Sequence, residues 1–191
     1  MKKIGLTGTI GVGKTYVCKI FKQMGIPIFN SDEQAKKCMV EDANLKAAVQ
    51  LAFGESMYLK GVLQKELLAK IVFNNTESLE KLNALVHPIV RQKFDDWFTL
   101  QSASMVIKEA AILFESDAHL GLDGVICVSA PEKLRIARVQ KRDGTSVEQI
   151  ESRMSKQMPQ AEKEELSDFL IVNDEVQLLL PQVLAIITEM E

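Results

Sequence analysis

The residues with the clearest chemical meaning lie near the start of the chain, where Gly8, Gly11 and Gly13 precede Lys14 and Thr15. The stretch GTIGVGKT matches the pattern GxxxxGK[ST] at every position. Glycines permit positive φ angles and let backbone N–H groups approach an anion closely, and a helix that follows directs its positive dipole end to the same place. The pattern therefore predicts a phosphate-binding loop, with Lys14 on the β- and γ-phosphates of a nucleotide and the Thr15 hydroxyl on Mg²⁺.

Short apolar segments on both sides of the loop predict the elements that position it. Residues 3–7 and 26–29 have the composition of strands, and residues 13–24 carry apolar side chains at helical spacing. A strand, a loop, a helix and a strand form a βαβ unit, which means a parallel sheet with a right-handed crossover.

Helices are predicted to dominate residues 31–100. They are expected at 31–40, 44–53, 64–73 and 77–86, with Pro88 beginning or kinking the next one. Because this stretch is far longer than a crossover needs, we expect an inserted helical subdomain at 31–100.

The rest of the chain completes an α/β pattern. Further strands are expected at 104–107, 124–128 and 169–172, and further helices at 131–142 and 176–190. About five strands alternating with helices predict a doubly wound parallel sheet, of the kind found in P-loop NTPases. Its core is expected to comprise residues 1–30, 101–142 and 167–191.

Residues 143–166 are highly polar and include Arg153, Lys156 and Lys163. Such a composition is too polar for a core. It fits a helical lid that closes over a nucleotide, and it fits a solvated helical hairpin equally well.

Composition restricts the class of partner. The net charge of −3 over 191 residues lacks the basic footprint of a general nucleic-acid binder. The three cysteines, Cys18, Cys38 and Cys127, are far apart and odd in number, so we expect neither disulfides nor a zinc site. Cysteines of this kind also predict a cytoplasmic location. Since no apolar run approaches the length of a membrane span, no membrane association is expected.

Several other polar residues can act on the phosphates or the substrate. Asp32 follows the second predicted strand, where it can accept a proton from a hydroxyl, hold Mg²⁺ through water, or only cap a helix. Arg138 and Arg142 share one helical face, which points either to the γ-phosphate or to solvent. His87 precedes a proline and favours a structural role, whereas Arg91 can face an anionic substrate.

Sequence features exclude some nucleotide-binding classes. The DxxG and NKxD motifs of GTPases are absent. Glu109 and Glu115 in KEAAILFE do not match the Walker B strand of motor ATPases, because Ala110 and Ala111 break the pattern. A small kinase that phosphorylates a hydroxyl remains, and a nucleotide-binding switch without transfer is the rival of another class.

The chain resembles the dephospho-CoA kinase family over nearly its whole length, from Ile4 to about Asn173. The motifs that carry the resemblance are GLTGTIGVGKT, NSDEQAKK, HPIVR, AILFE, VSAPEKLRIARVQKRD and RMSKQMPQAEKEELSDFLIVN. The glycine loop is common to many families. The combination of Asp32, HPIVR, ILFE and RxxxRD followed by RMxxQ is much more specific.

The resemblance implies ATP-dependent phosphorylation of the ribose 3′-hydroxyl of dephospho-CoA, the last step of coenzyme A synthesis. It implies a CoA-binding role for the insert at 31–100 and a lid at 143–166. Asp32 is implied as the base, and Lys14 and Arg142 as the groups that stabilise the transferring phosphoryl. The implied ATP-binding residues are Gly11, Val12, Gly13, Lys14, Thr15, Tyr16, Arg142 and Asn173, with Thr15 also on Mg²⁺. Those on the substrate side are Asp32, His87 and Arg91.

The chain departs from the family pattern at a few positions. Asn30-Ser31-Asp32 stands where DAD is frequent, so Asp32 is the carboxylate left to act as base. Lys36 replaces a common arginine, Tyr16 a frequent threonine and Ala111 a common proline. The alternative is another small P-loop kinase for a nucleoside, nucleotide or small alcohol. ATP and dephospho-CoA are the expected partners, and a monomer or small homo-oligomer the expected state.

Overall fold

A computed structural model describes residues 1–73 and 75–190 of the chain. Within this part the chain divides into two compact units. The first, called the sheet unit below, combines Met1–Asn30 with the described residues that follow Thr99. The second, called the helical unit, is Ser31–Thr99.

The helices and strands follow one another along the chain in an α/β order. They are β1 (Lys2–Thr7), α1 (Lys14–Gln23), β2 (Ile28–Asn30), α2 (Ser31–Glu41), α3 (Ala43–Phe53), a 3-10 turn (Glu55–Met57), β3 (Tyr58–Leu59), β4 (Val62–Leu63), α4 (Lys65–Phe73), α5 (Thr76–Thr99), β5 (Met105–Glu109), β6 (Gly124–Ser129), α6 (Glu132–Asp143), α7 (Val147–Met154), α8 (Gln160–Glu165), β7 (Phe169–Val172) and α9 (Leu179–Met190).

The sheet unit is built on five parallel strands in the order β2-β5-β1-β6-β7. From β1 the chain passes to the edge strand β2, returns to β5 beside β1, and then crosses to β6 and β7 on the other side. Sheets of this kind bind ligands beyond the strand ends at the point where the direction of winding reverses. The register places Glu109 of β5 beside Leu6 of β1 and Asn30 of β2. The predicted doubly wound sheet of about five strands is therefore confirmed, and its carboxyl edge carries the glycine loop.

The core of the sheet unit explains the continuous apolar sequence of two strands. β5 is buried along its whole length, and β6 is buried except at Ser129. Large, fully buried side chains of this core are Ile4, Leu6, Phe21, Ile107, Ile126 and Ile171. Burial of each such side chain contributes about 1.5–3 kcal/mol, so the cluster fixes the strands from which the loop emerges.

Helix α5 runs continuously through Pro88, so the prediction that this proline begins a new helix is wrong. A proline inside a helix removes one backbone hydrogen bond at a cost of about 3 kcal/mol. Leu82, Val86, Val90 and Phe94 are buried at four-residue spacing on both sides of it. This unbroken apolar stripe within the helical unit offsets the cost and keeps the two halves in one helix.

The helical unit contains a β-hairpin, formed by β3 and β4 and closed by a two-residue turn, that the sequence pattern did not predict. Its turn consists of Lys60 and Gly61, which have φ angles of 50° and 78°. Positive φ at both central positions is the geometry of a type I′ turn. The strands are too short for a visible alternation, so the Lys-Gly pair is the one local signal.

Residues 143–166 contribute α7 and α8, and their polar composition wrongly predicts that none of them is a core residue. Ile150 and Lys163 are both fully buried. The Lys163 Nζ donates to the two carboxylate oxygens of Glu115, at 2.7 and 2.9 Å, and to the carbonyl oxygen of Ala111 at 2.8 Å. A lysine is tolerated in the core here because its charge is paired and its hydrogen bonds are made.

This buried ion pair predicts an asymmetric loss of stability. Glu115→Gln is expected to lower the free energy of unfolding by about 3 kcal/mol, because the buried Lys163 ammonium loses its counter-charge. Lys163→Met is expected to cost less, since Glu115 is 21% exposed and keeps a hydrogen bond from the Met158 N–H. Urea unfolding measures both. Glu41→Gln, which breaks an exposed pair with Lys37, is the control, and an equal effect of the two glutamate changes would contradict the prediction.

No helix within the described residues combines the length and the apolar character needed to cross a membrane.

Candidate active site

The glycine loop connects β1 to α1 in a conformation that depends on its glycines. Gly11 and Gly13 have φ angles of 85° and 94°, which favour glycine. A Cβ atom at Gly11 would lie 2.5 Å from the carbonyl oxygen of Arg135, and one at Gly13 would lie 2.2 Å from Nδ2 of Asn173. The glycines therefore serve two purposes, since they permit the backbone angles and let the loop lie directly against α6 and the end of β7.

Lys14 is the first residue of α1 and reaches back across the loop. Its Nζ donates to the carbonyl oxygen of Gly8 at 2.7 Å. Helix α1 begins after Gly13 with no side-chain cap and no acidic residue in its first turn. No acidic side chain of this first turn therefore competes for the helix dipole, which suits an anionic ligand.

Two more of the predicted residues occupy the same first turn of α1. Thr15 is exposed, and so is Tyr16, whose exposure is 62%. The Thr15 hydroxyl is a hard oxygen donor of the kind that Mg²⁺ prefers. Val12, in contrast, is fully buried in the core, so it contributes its backbone rather than its side chain to the surface of the loop.

Asn173 and Arg138 hold the second half of the loop through its carbonyl groups. The Nδ2 of Asn173 donates to the Val12 carbonyl oxygen at 2.7 Å. Nη1 of Arg138 donates to the Gly11 and Val12 carbonyl oxygens, and Nη2 donates to the Asn173 carbonyl oxygen at 3.0 Å. These side chains therefore shape the loop. Arg138 also pairs with Glu175 at 3.2 Å.

Arg142 lies one turn further along α6 and has a different partner from Arg138. Its Nε and Nη2 donate to the two carboxylate oxygens of Asp143, at 2.6 and 2.9 Å. Arg153 of α7 donates to the same carboxylate at 3.1 Å. The two hydrogen bonds from Arg142, and secondarily the one from Arg153, lower the pKa of Asp143 to about 2. Asp143 thus holds two exposed guanidinium groups near each other.

The contacts of Asp143 with Arg142 and Arg153 predict a pH dependence of stability that can be followed at the Asp143 carboxyl group. The pKa of Asp143 is lower in the folded state than its ordinary value of 3.8. The contacts of its carboxylate with Arg142 and Arg153 therefore stabilise the fold above about pH 4, and this contribution is lost as the pH falls through about 2. NMR titration of Arg142→Gln is expected to show the Asp143 pKa moving up towards 3.8, with a smaller change for Arg153→Gln. An unchanged pKa in Arg142→Gln would contradict the assignment.

Glu109 does not match the Walker B pattern, yet it is buried at the edge of the sheet. Glu109 is the last residue of β5 and is only 5% exposed. Burial, and then the negative charge of Glu109, raises the pKa of Cys18 to about 12, whereas Lys14 lowers it. Glu109 and Lys14 therefore lie within electrostatic reach of the same thiol. The available signal was a carboxylate that ends a buried strand, regardless of the alanines that follow.

The helical unit carries the three predicted residues on the substrate side. Asp32 is the second residue of α2 and follows β2 by two positions. Its carboxylate is exposed and makes no hydrogen bond or ion pair with residues 1–73 or 75–190, so it does not cap a helix through a hydrogen bond. On α5, His87 is half-buried and Arg91 is exposed one turn later.

Three residues that sequence reasoning missed contact the first half of the loop. Gln160 and Arg135 bond to Thr9, and Gln157 bonds to the backbone of Ile10. Helical periodicity does not reveal them, since they contact the loop from separate helices and turns. The available signals were the RMxxQ motif, which ends at Gln157, and the polar composition of the segment that carries Gln160.

The chain is similar to known proteins over nearly its whole length. The sequence matches the family model described as dephospho-CoA kinase over residues 2–178. A dephospho-CoA kinase of Bacteroides fragilis is 37% identical over 186 residues, which cover 97% of this chain and 91% of that protein.

Two solved structures are similar along nearly the whole chain. A crystal structure of a Thermus thermophilus protein is 31% identical with a TM-score of 0.88, and the similarity covers 100% of this chain and 98% of that one. The dephospho-CoA kinase from Campylobacter jejuni is 25% identical with a TM-score of 0.69, covering 98% and 96%. The glycine loop, Asp32, Arg142 and Asn173 all lie inside the range that matches the family model. The chain belongs to the dephospho-CoA kinase family.

Proposed function

We propose that this protein transfers the γ-phosphoryl group of ATP to the ribose 3′-hydroxyl of dephospho-CoA, giving coenzyme A and ADP. The observation that carries the proposal is the glycine loop, complete at every position and opening the uncapped helix α1, in a chain of the dephospho-CoA kinase family. The loop supplies the donor side of the reaction. Membership of the dephospho-CoA kinase family is the argument for dephospho-CoA as the acceptor.

The donor side rests on residues of the sheet unit. Backbone N–H groups of Gly11–Thr15 bind the phosphate chain, and the Lys14 ammonium leaves the Gly8 carbonyl oxygen for the β- and γ-phosphates. Arg142 exchanges its contact with Asp143 for the transferring phosphoryl group. Asn173 acts on ATP mainly by holding the Val12 carbonyl oxygen, and hence the loop.

The transfer itself breaks the bond between the γ-phosphorus and its bridging oxygen and forms a bond from the 3′-oxygen to that phosphorus. The hydroxyl proton passes to the Asp32 carboxylate. Phosphoryl transfer demands mainly positioning and charge stabilisation, so a few residues suffice. An exposed carboxylate with no partner among the described residues is free to accept this proton.

A magnesium ion fits the oxygen donors of the sheet unit. Mg²⁺ is usually held by one or two protein oxygens together with substrate phosphates and water. The Thr15 hydroxyl would be such a ligand, and Glu109 at the end of β5 would be a second oxygen donor. When bound, the ion would neutralise charge on the β- and γ-phosphates.

The acceptor side is assigned to the helical unit. His87 and Arg91 lie four residues apart on α5, which places them on one face of that helix. The Arg91 guanidinium is suited to a phosphate of dephospho-CoA, because its planar fork matches phosphate oxygens. Within residues 143–166, the part that precedes Gln157 acts as the lid. The three free cysteines suit the cytoplasmic location that the sequence predicts.

An acceptor panel tests the proposal. ATP turnover is measured with dephospho-CoA, adenosine, AMP and shikimate, each over a range of concentrations. The proposal predicts the highest kcat/KM for dephospho-CoA. A higher value for another acceptor would favour a different small kinase, and ATP binding without any phosphorylated product would favour a nucleotide-binding switch.

A further inference from the structure

The turn and helix at residues 157–167, named the strap here, are fixed to the sheet unit by polar contacts. Lys163 is buried against Glu115, and the Met158 N–H donates to the same carboxylate at 2.9 Å. At the end of β6, the Ser129 hydroxyl bonds to Glu164 at 2.5 Å. The strap is therefore anchored to the segment that follows β5 and to the end of β6, and β5 and β6 are the strands on either side of β1.

From this anchored position, the strap sends two glutamine side chains to the first half of the glycine loop. Oε1 of Gln160 accepts from the Thr9 N–H at 3.1 Å and from the Thr9 hydroxyl at 2.8 Å. Oε1 of Gln157 accepts from the Ile10 N–H at 2.9 Å. Two consecutive N–H groups of the loop are thus satisfied by side chains that lie about 150 residues further along the sequence.

The orientation of the Gln160 amide is determined by its other contacts. Its Nε2 donates to the Val128 carbonyl oxygen at 3.2 Å and to a Glu164 carboxylate oxygen at 2.9 Å. The opposite end of the amide must therefore be the acceptor that faces Thr9. On the far side of Thr9, the Arg135 guanidinium donates to the same hydroxyl, which completes a chain from Arg135 through Thr9 to Gln160.

Thr9 and Ile10 lie between Gly8 and Gly11, which both have positive φ angles. A backbone of this kind forms no regular ladder of hydrogen bonds, so its peptide groups need other partners. Thr9 is only 3% exposed, and water cannot readily replace a lost acceptor there. The two glutamines consequently determine where the first half of the loop lies, and the N–H groups that follow depend on it.

We propose that Gln157 and Gln160 are positioning residues for ATP binding: they hold Thr9 and Ile10 so that the N–H groups from Gly11 onwards converge on the phosphates. The inference rests on the proposed function, because it takes the loop as the ATP site. It also assigns the strap a permanent structural role, which restricts any lid movement to the part of 143–166 that precedes Gln157.

The test replaces each glutamine by methionine, which has a similar length and no carbonyl oxygen. Hydrogen exchange at the Thr9 and Ile10 amides is followed by NMR, and ATP affinity is measured by calorimetry without acceptor. Loss of one acceptor is expected to accelerate exchange at the affected amide and to weaken ATP binding about fivefold. The KM for dephospho-CoA is expected to change less than twofold. Gln23→Met at the exposed end of α1 is the matched control.

A conservative variant of Gln157, and the single hydrogen bond that this side chain makes among the described residues, keep the outcome decisive. Gln157→Glu retains an acceptor oxygen and is expected to restore slow exchange at the Ile10 amide. Gln157 makes one side-chain hydrogen bond of its own in the described chain, so its variants serve if Gln160→Met fails to fold. Faster exchange with unchanged ATP affinity would overturn the positioning role, and so would an equal rise in the KM of both substrates. ATP affinity that depends on the glutamines in a protein inactive on dephospho-CoA would overturn the proposed function and leave this inference standing.

Discussion

Lys14→Met is expected to lower kcat for phosphoryl transfer about 10³-fold, the scale on which preorganised electrostatic groups contribute to catalysis. Lys14 is the first residue of α1, and its ammonium already lies in the loop, 2.7 Å from the Gly8 carbonyl oxygen. Methionine preserves the length of the side chain and removes the charge that would stabilise the transferring phosphoryl group. The effect is therefore expected in kcat, with a smaller rise in the KM for ATP, in a steady-state assay with both substrates.

The control for this change lies on the same helix. Lys19→Met removes an exposed lysine from α1 and is expected to change kcat less than about twofold, as does a typical surface substitution. Thermal unfolding of both variants shows whether the fold is retained. A Lys14→Met enzyme that keeps more than about a tenth of the wild-type kcat would contradict the role of the loop in phosphoryl transfer.

Asp32→Asn is expected to lower kcat about 10²- to 10⁴-fold, the range attributed to general base catalysis. The change keeps the shape of the side chain and removes its ability to accept the proton of the 3′-hydroxyl. Because the proposed contacts to the phosphates are made by the glycine loop and not by Asp32, ATP affinity is expected to stay within about twofold of wild type. Single-turnover measurements at saturating substrates isolate this step from product release.

A neighbouring residue separates this role from an ordinary charge effect. Glu33 follows Asp32 in the first turn of α2, where both carboxylates are favourable to the helix dipole. Glu33→Gln removes the same charge from the same turn. It is expected to change kcat less than about threefold, because the interaction of one carboxylate with the helix dipole is worth under about 1 kcal/mol. Equal losses in the two variants would contradict the assignment of Asp32 as base.

The fold could be predicted largely because its signals are local. The apolar segments around Ile4, Ile126 and Ile171 are strands in which these three side chains are buried, and the residues after Gly13 form a helix, as expected. Pro88 was misleading because a local rule was overridden by a stripe of buried side chains on both sides of it. The order of the strands in the sheet depends on contacts between distant segments, which no window of sequence contains.

The same difference between local signals and contacts of distant segments applies to the residues of the candidate site. Lys14 and Thr15 could be placed from one motif because a single turn of chain positions both. The separate contacts of Arg138 and Arg142 could not, since equal spacing on a helix does not determine which partner each side chain finds. Lys163 shows the limit of composition, because a buried lysine becomes acceptable only when Glu115, from another segment, pairs with it.

The most direct test of the central claim is the identity of the phosphorylated product. Purified protein, ATP, Mg²⁺ and dephospho-CoA are incubated together, and the products are separated and examined by mass spectrometry and ³¹P NMR. We predict that ADP and coenzyme A appear in equal amounts, with the new phosphate on the ribose 3′-oxygen. ATP consumption without a new phosphate ester, or a phosphate on any other oxygen of the acceptor, would contradict the account.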